Sequence, residues 1–261
     1  MMLKGIYAVV LIDLKRFWLD RARIVMGMLQ PLLYLFVFGA GLGASTQLGG
    51  DEYQKFIFPG VICLSMLFTA TFAAISIVFD RQIGFFKAVL VAPVPRPAIA
   101  LGKIAAGSIQ AAVQGLIVLP FAPLVGVPLT PLEVLLLIGA MVMASTTFAA
   151  IGLSFAARFK SVTVFPVVSN AVLLPMFFLS GAMYPLSSAP HWMQVAAHFD
   201  PVAYAVDLMR GGLLGHYFFP AWLSMVVMAG VIIALAWESV RILNRGEDDS
   251  SLGSNRVWGG K

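Results

Sequence analysis

The sequence contains little charge and almost no cysteine. Asp, Glu, Lys and Arg make up 11% of the 261 residues, against about 25% in soluble domains. Hydrophobic residues make up 60%, which is more than one soluble core could bury, so the sequence favours a membrane protein. The single cysteine, Cys63, excludes both a disulfide framework and a thiolate metal site within one chain.

Motifs for nucleotide binding and hydrolysis are also missing. The phosphate loop GxxxxGK[ST] is absent, because Gly102-Lys103 is followed by Ile104. HExxH, GxSxG and CxxC do not occur. His191 and His198 stand seven residues apart, which on one helix separates them by about 11 Å, too far to share an ion. We therefore expect a chain that is not an enzyme and that binds no metal or cofactor of its own.

Carboxylates are scarce where an ion-coupled carrier needs them. Apart from Glu133, near the end of a predicted span, we identify no acidic residue well inside a span. Two other functions stay open as alternatives. One is an ion-coupled secondary transporter, which transport without ATP would support. The other is a membrane-embedded enzyme, which turnover of a lipid by the purified chain would support.

Long apolar runs predict an all-α integral membrane protein with six transmembrane helices in a single domain over 24–245. A spanning helix needs roughly 20 mainly apolar residues. The six predicted spans are about 24–43, 57–79, 104–126, 132–157, 162–180 and 218–240.

The distribution of Lys and Arg predicts the orientation of these spans. With the N-terminus inside, the inner segments carry 15 of the 17 basic residues. Both termini are therefore expected on the cytoplasmic side of a bacterial inner membrane. The same rule accounts for the basic pI of about 9.5, so we expect no nucleic-acid partner.

Three segments flank or interrupt the spans. Residues 1–23 begin with an amphipathic pattern that is typical of a helix at the lipid interface, although a simple charged lead-in would also fit. Residues 181–217 contain two short helices that are too short to span, and they predict an outer re-entrant hairpin. Its second helix should start with Asp200 as N-cap and stop at Gly211-Gly212. Residues 246–261 are polar and predicted to be a disordered tail.

One charged, proline-punctuated stretch, FDRQIGFFKAVLVAPVPRPAIALGK, separates the second and third predicted spans. Residues 80–92 can form a short helix that the following prolines would end. Phe85 and Phe86 would give it an apolar knob within a charged rim, which is typical of a docking site. The alternative is an ordinary inner loop that obeys the positive-inside rule.

Together with the segment FFLSGAMYPLSSAPHWMQVAAHFDPVAYAVDLMRGGLLG, this stretch resembles the membrane subunits of type-2 ABC exporters. The patterns that carry the resemblance are DRxxG, SGxxYP and PxxYxxDxxR. The similarity is greatest to the branch of daunorubicin-type drug-efflux permeases and nodulation lipo-oligosaccharide exporters, and it covers nearly the whole chain.

The resemblance implies a permease subunit that moves an amphipathic drug, a lipid or a lipid-linked saccharide outward. Its partners would be two copies of an ABC ATPase, which bind the ATP and Mg, a second copy of this chain or a similar permease, and membrane lipid. The loop after the second span would be a coupling helix in a cleft of the ATPase. The implied coupling residues are Asp80, Arg81, Gln82, Gly84, Phe85, Phe86 and Lys87. The implied outer-hairpin residues are Tyr184, Pro185, Asp200, Pro201, Tyr204, Asp207 and Arg210.

Two positions depart from the family pattern. Gln82 stands where the loop usually has an acidic residue, which removes a possible salt bridge to the ATPase. Asp200 stands where the cap is usually Asn, and Asp caps equally well.

Polar residues inside the predicted spans are candidates for a substrate path. They are Gln30, Gln110, Gln114 and Asn170, and the alternative for each is a hydrogen bond between helices. Gln30 and Asn170 are preferred, since the first and fifth spans flank the dimer interface in the family that the chain resembles. Asp207 and Arg210 are expected to pair with each other or with a partner subunit.

Overall fold

The computed structural model describes residues 2–43, 50–82, 95–127, 130–159 and 161–245. These residues form helices and no strand. The helices are α1 Met2–Leu19, α2 Arg21–Gly43, α3 Gly50–Gln82, α4 Arg96–Val118, α5 Pro131–Arg158, α6 Val164–Leu179, α7 His191–Phe199, α8 Pro201–Leu214 and α9 Ala221–Arg245. Short 3₁₀ turns cover Leu119–Val125 and Leu186–Ser188. The predicted all-α class is confirmed for this part of the chain.

Within the described residues, five helices are long and apolar enough to cross a bilayer: α2, α3, α4 with its 3₁₀ extension, α5 and α9. The remaining predicted span, 162–180, corresponds to α6, which has 16 residues. A helix of that length extends about 24 Å, which is less than the roughly 30 Å of a hydrocarbon core. The part of the chain that the structure describes thus contains five candidate spans and one shorter apolar helix.

Local sequence signals account for several helix ends. Thr130 and Glu133 form a capping box at the start of α5, with Pro131 in the first turn. Asp200 caps α8 as predicted, because its side chain accepts a hydrogen bond from Val202 N–H at 2.9 Å. The predicted end of α8 at Gly211-Gly212 is wrong.

Helix α8 continues to Leu214 and ends at Gly215, whose φ of 69° is left-handed. The two earlier glycines serve packing. A Cβ on Gly211 would lie 1.9 Å from the ring of Tyr217, and one on Gly212 would lie 3.5 Å from the backbone of Leu137 in α5.

Helix α3 is the centre of the bundle and packs against α2, α4, α5 and α8. At one end, Gly60 of α3 lies so close to Ala182 that an added Cβ would stand 2.8 Å from the Ala182 carbonyl oxygen. We call this the hairpin end, since α7 and α8 lie there. The opposite end, where α1 packs on α4, we call the α1 end.

Helix α1 packs on α4 through Gly5, Asp13 and Phe17, which are buried. Its exposed side carries large apolar side chains, among them Leu3 and Tyr7. In the sequence, Leu3 and Phe17 fall in the apolar row of α1 and Asp13 on its charged side, whereas in the structure Phe17 and Asp13 are buried and Leu3 is exposed. Asp13 is buried because it has a buried cationic partner on α4.

Candidate functional site: a charge cluster and a cleft at the α1 end

A buried lysine joins three helices at the α1 end. Lys103 Nζ of α4 lies 3.0 Å from an Asp80 carboxylate oxygen of α3 and 3.0 Å from one of Asp13 of α1. It also donates to Ser76 Oγ at 2.9 Å. The lysine and both aspartate side chains are 7–8% exposed. Helical geometry places Ser76 and Asp80 on one face of α3, because residues four apart are neighbours.

Arg16 completes this group, which we call the charge cluster (Asp13, Arg16, Asp80 and Lys103). Its guanidinium lies 3.4 Å from Asp80 and 3.9 Å from Asp13, and its side chain is 51% exposed. The two carboxylates and the two cations of the cluster therefore have a net charge of zero. Burying ions is costly unless they are paired, and removing one partner of such a pair leaves an uncompensated charge. The cluster is consequently a strong constraint on how the three helices can sit.

The charge cluster lies at the two helix ends that bracket the predicted coupling segment. Asp80 is in the last turn of α3 and Lys103 is in the third turn of α4. The Asp80 carboxylate points into the protein, toward Lys103 and Arg16. Arg81 lies in α3, and Gln82 is its exposed last residue. The other predicted coupling residues, Gly84, Phe85, Phe86 and Lys87, lie outside the described residues.

A half-open cleft of about 660 Å³ adjoins the cluster between α2 and α3. Arg16 and Asp80 belong to both features. One wall is an apolar face of α3, and the other comes from the first half of α2. The lining residues are Arg16, Asp20, Arg23, Met26, Gly27, Gln30, Pro31, Phe68, Thr69, Phe72, Ile75, Ser76, Phe79 and Asp80. A wall of aromatic rings next to charged and amide groups suits a molecule with an apolar part and a polar part.

The four predicted path residues separate in the structure. Gln30 lines the cleft and donates to Tyr34 Oη at 3.3 Å. Gln110 donates to the Asp13 carbonyl at 3.3 Å, and Gln114 donates to the Ile24 carbonyl at 3.2 Å. These two amides are buried and hold α4 to α1 and α2, which is the interhelical alternative. Asn170 is half-buried on α6, away from the cleft lining.

At the hairpin end, Asp207 and Arg210 bind backbone groups in place of the expected mutual ion pair. Asp207 accepts from Phe218 N–H at 2.7 Å and Phe219 N–H at 2.9 Å. Arg210 donates to the Gly181 carbonyl at 2.9 Å, and its guanidinium lies 3.9 Å from the centre of the Phe56 ring. Together they fasten the segment after α8 and the turn after α6. No pattern in the sequence indicates these backbone partners.

The remaining hairpin residues also have structural roles. Pro185 precedes the 3₁₀ turn Leu186–Ser188, and Pro201 stands in the first turn of α8. Tyr204 donates to the His198 carbonyl at 2.9 Å, while the hydroxyl of Tyr184 is buried without a partner among the described residues.

Burial changes the ionisation of the hairpin, which lies outside the candidate spans. It raises the pKa of Asp200 from 3.8 to about 7, against the opposing hydrogen bond from Val202 N–H. It also raises the pKa of Asp207, opposed by the two backbone hydrogen bonds and by Arg210. Burial lowers the pKa of Arg210 to about 10 despite the nearby Asp207.

Residues 4–214 match the family model described as ABC-2 type transporter. Nodulation protein J of Rhizobium leguminosarum bv. trifolii is 33% identical over 190 residues, covering 72% of each chain. Nodulation protein J of R. leguminosarum bv. viciae is 30% identical over 227 residues, covering 86% of this chain and 87% of the relative. The inner membrane transport permease YadH of Escherichia coli K12 is 27% identical over 249 residues, covering 94% and 95%.

The chain belongs to the ABC-2 type transporter family. The resemblance identified from the sequence is thereby confirmed. As an ABC-2 permease it is a membrane protein, and the family indicates a transport subunit and not an enzyme. The family match begins at Lys4, within the first turn of α1, includes the whole charge cluster and ends at Leu214, the last residue of α8.

Three charged residues of this ABC-2 permease have roles that sequence reasoning missed. Asp13 and Lys103 form the centre of the charge cluster, but 90 residues separate them in the chain. Glu238 of α9 accepts from Ser154 Oγ at 2.7 Å and from Arg158, and so ties α9 to α5. A lysine in a predicted inner segment already satisfies the positive-inside rule, so nothing in the sequence marks Lys103 as different.

Proposed function

We propose that the chain is the permease subunit of an ABC exporter that is powered by a separate ATPase. In this proposal two permeases, either identical or similar, assemble with two ATPase subunits in a bacterial inner membrane. The α1 end faces the cytoplasm, α6 acts as a sixth span, α1 lies at the lipid interface, and α7 and α8 form an outer re-entrant hairpin. The exposed apolar side of α1 and the short lengths of α7 and α8 support these placements.

The observation that carries the proposal is the charge cluster. A coupling segment can transmit force only if its two ends are fixed to the parts that must move. Asp80 and Lys103 fix the helices on either side of residues 83–94 to each other, and Asp13 adds α1 to the same body. Movement imposed on this segment by an ATPase would therefore displace α1, α3 and α4 together. In this proposal Asp80 holds the segment in place, and the residues that follow Asp80 contact the ATPase.

The cleft supports the transport side of the proposal. It shares Arg16 and Asp80 with the cluster, and its lining residue Ser76 accepts from Lys103, so movement of the cluster would reshape the cleft. Its aromatic face and polar groups fit an amphipathic drug, a lipid or a lipid-linked saccharide. The names of the relatives, a nodulation protein and an inner membrane transport permease, accord with transport.

Co-purification tests the proposal directly. The tagged chain is extracted gently from its native membranes, and co-purifying subunits are identified by mass spectrometry. We expect an ABC ATPase with the wild type and its loss with Arg81→Glu and Phe85→Asp. Lys15→Glu is the matched control, because Lys15 is an exposed cation of α1 outside the cluster.

Two results would contradict the proposal. One is the absence of any ATPase under conditions that preserve a known complex of this family. The other is uptake into proteoliposomes that follows an ion gradient without ATP, which would support the ion-coupled alternative.

A further inference from the structure

Among the described residues of the cleft lining, Arg23 is a cation with no carboxylate within 4.0 Å. Four of the charged groups at the α1 end form the balanced charge cluster, since Lys103 and Arg16 together offset Asp13 and Asp80. The other charged groups of the cleft lining are Asp20 and Arg23. The question is whether these two offset each other.

Asp20 is engaged elsewhere. Its carboxylate accepts from the backbone N–H of Arg23 at 3.1 Å, which caps the start of α2, and its side chain is exposed. The Arg23 guanidinium donates to the Thr69 carbonyl of α3 at 3.3 Å, and Asp20 and Asp13 attract it only from beyond ion-pair distance. Its Nε is buried and has no hydrogen-bond partner. No carboxylate among the described residues lies within 4.0 Å of it.

The position of this guanidinium makes the missing anion costly. Thr69 precedes Asp80 by 11 residues on α3, so the guanidinium lies roughly 16 Å further along the helix than the end that carries the charge cluster. Arg23 belongs to a candidate span, where an ionisable side chain normally has a partner and often marks a ligand pathway. A guanidinium also offers five donors, and within the described part of the chain this group makes one hydrogen bond, to Thr69.

The surroundings of Arg23 define what kind of anion fits. Phe68, Phe72, Ile75 and Phe79 recur at helical spacing on the wall formed by α3, and the rings of Phe68 and Phe72 stack at 6.2 Å. The cleft volume of about 660 Å³ is in the range of sites for single small ligands. An inorganic anion alone would leave this apolar wall unused.

We propose that the cleft binds an amphiphile with an acidic head group, such as a phosphate, sulfate or carboxylate. The head group pairs with Arg23, and the apolar chain lies along the aromatic face of α3. The proposal names a substrate class for the proposed exporter. It rests on the exporter function only for the claim that the bound amphiphile is transported. Binding itself needs neither ATP nor a partner subunit.

Equilibrium binding to the purified full chain in neutral detergent tests the proposal. Three radiolabelled probes share one alkyl chain: dodecyl phosphate, dodecyltrimethylammonium and dodecyl glucoside. We expect the phosphate to bind tighter than the other two by at least about tenfold, because only it can form a charge-assisted pair. Arg23→Gln should remove this preference, and Arg23→Lys should retain part of it. Arg241→Gln is the control, since Arg241 is exposed on α9 and outside the cleft.

Several outcomes would overturn the inference. It fails if the cationic or neutral probe binds as tightly as dodecyl phosphate, or if a folded Arg23→Gln protein binds all probes like the wild type. It also fails if inorganic phosphate displaces the probe at equal concentration, which would indicate a site for free anions. A thermal melting curve of Arg23→Gln shows whether a loss of binding comes from misfolding. If this variant does not fold, Phe72→Asp takes its place, and unchanged probe selectivity in Phe72→Asp overturns the proposal. Loss of ATPase co-purification with intact phosphate selectivity would contradict the exporter function alone.

Discussion

Lys103 and Asp80 form a buried ion pair of 3.0 Å that joins the helix before residues 83–94 to the helix after them. The same ammonium group binds Asp13 of α1, also at 3.0 Å. One side chain thus fixes three helices that are distant in sequence. The described ends of α3 and α4 that flank residues 83–94 are thereby held together and to α1.

Replacing Lys103 by Met should destabilise the protein strongly. The substitution would leave two buried carboxylates with only the half-exposed Arg16 as a cation. Breaking one buried pair costs about 3–5 kcal/mol, so we expect a clear drop in the thermal unfolding temperature in detergent. Lys103→Arg keeps the charge and should lose much less, and exposed Lys15→Met should lose almost nothing. Equal melting of Lys103→Met and Lys15→Met would show that the cluster does not hold the helices.

The sequence predicted the helices better than it predicted their contacts. Apolar runs are a local signal, and each long run did become a helix. Helix α3 nevertheless has 33 residues, Gly50–Gln82, and is longer than the predicted span 57–79. The residues before Ile57 carry no helix-breaking signal, so the helix includes them. The break at Asp200-Pro201 was predictable, since a cap and a proline act within one turn.

The charge cluster and the cleft depend on pairs that are far apart in the chain. In the sequence Asp13 belongs to the charged side of α1, and its burial follows only from its partner Lys103. In the sequence, Arg23 is one of several basic residues of a predicted inner segment. Gly211 and Gly212 predicted a helix end, although close packing explains them. In each case a local rule competed with a tertiary contact, and the contact prevailed.

The close approach of Gly60 to the hairpin gives a second prediction. Gly60→Ala places a Cβ 2.8 Å from the Ala182 carbonyl oxygen, which is backbone and cannot rotate away. We expect a loss of about 1–3 kcal/mol, as for overpacked cores. Gly230→Ala on α9 is the control, because no atom lies within 4 Å of its added Cβ. Thermal unfolding of the two variants in the same detergent measures the difference, and an unchanged Gly60→Ala protein would refute the tight contact.

Arg210 should be sensitive to a change that keeps its charge. Its guanidinium donates to the Gly181 carbonyl while it lies over the Phe56 ring at 3.9 Å, and a lysine ammonium lacks the planar group that does both. Arg210→Lys should therefore lower the free energy of unfolding by about 1–3 kcal/mol. Arg241→Lys, an exposed arginine 4.9 Å from the Trp237 ring, should change it little. Chemical unfolding of both variants tests this, and a similar effect of the two would contradict the role given to Arg210.

Asp200 should make the stability of the protein depend on pH. Burial raises its pKa from 3.8 in the unfolded chain to about 7 in the folded one. The folded state therefore binds the proton more tightly. The resulting stabilisation is complete below pH 3.8, falls as the pH rises, and is lost above about pH 7. Over the whole window it amounts to at most roughly 4 kcal/mol.

Asp200→Asn isolates this contribution. Asn caps a helix as well as Asp does, so the start of α8 is preserved while the titration is removed. Between pH 5 and pH 8, we expect the unfolding temperature of the wild type to fall relative to that of Asp200→Asn. Above that range, the plots of unfolding temperature against pH should be parallel for the two proteins. The difference between the two proteins cancels the titration of Asp207 and other groups. Parallel curves across the entire range would mean that Asp200 is already ionised at pH 5, and that its buried oxygen has a partner that offsets the cost of burial.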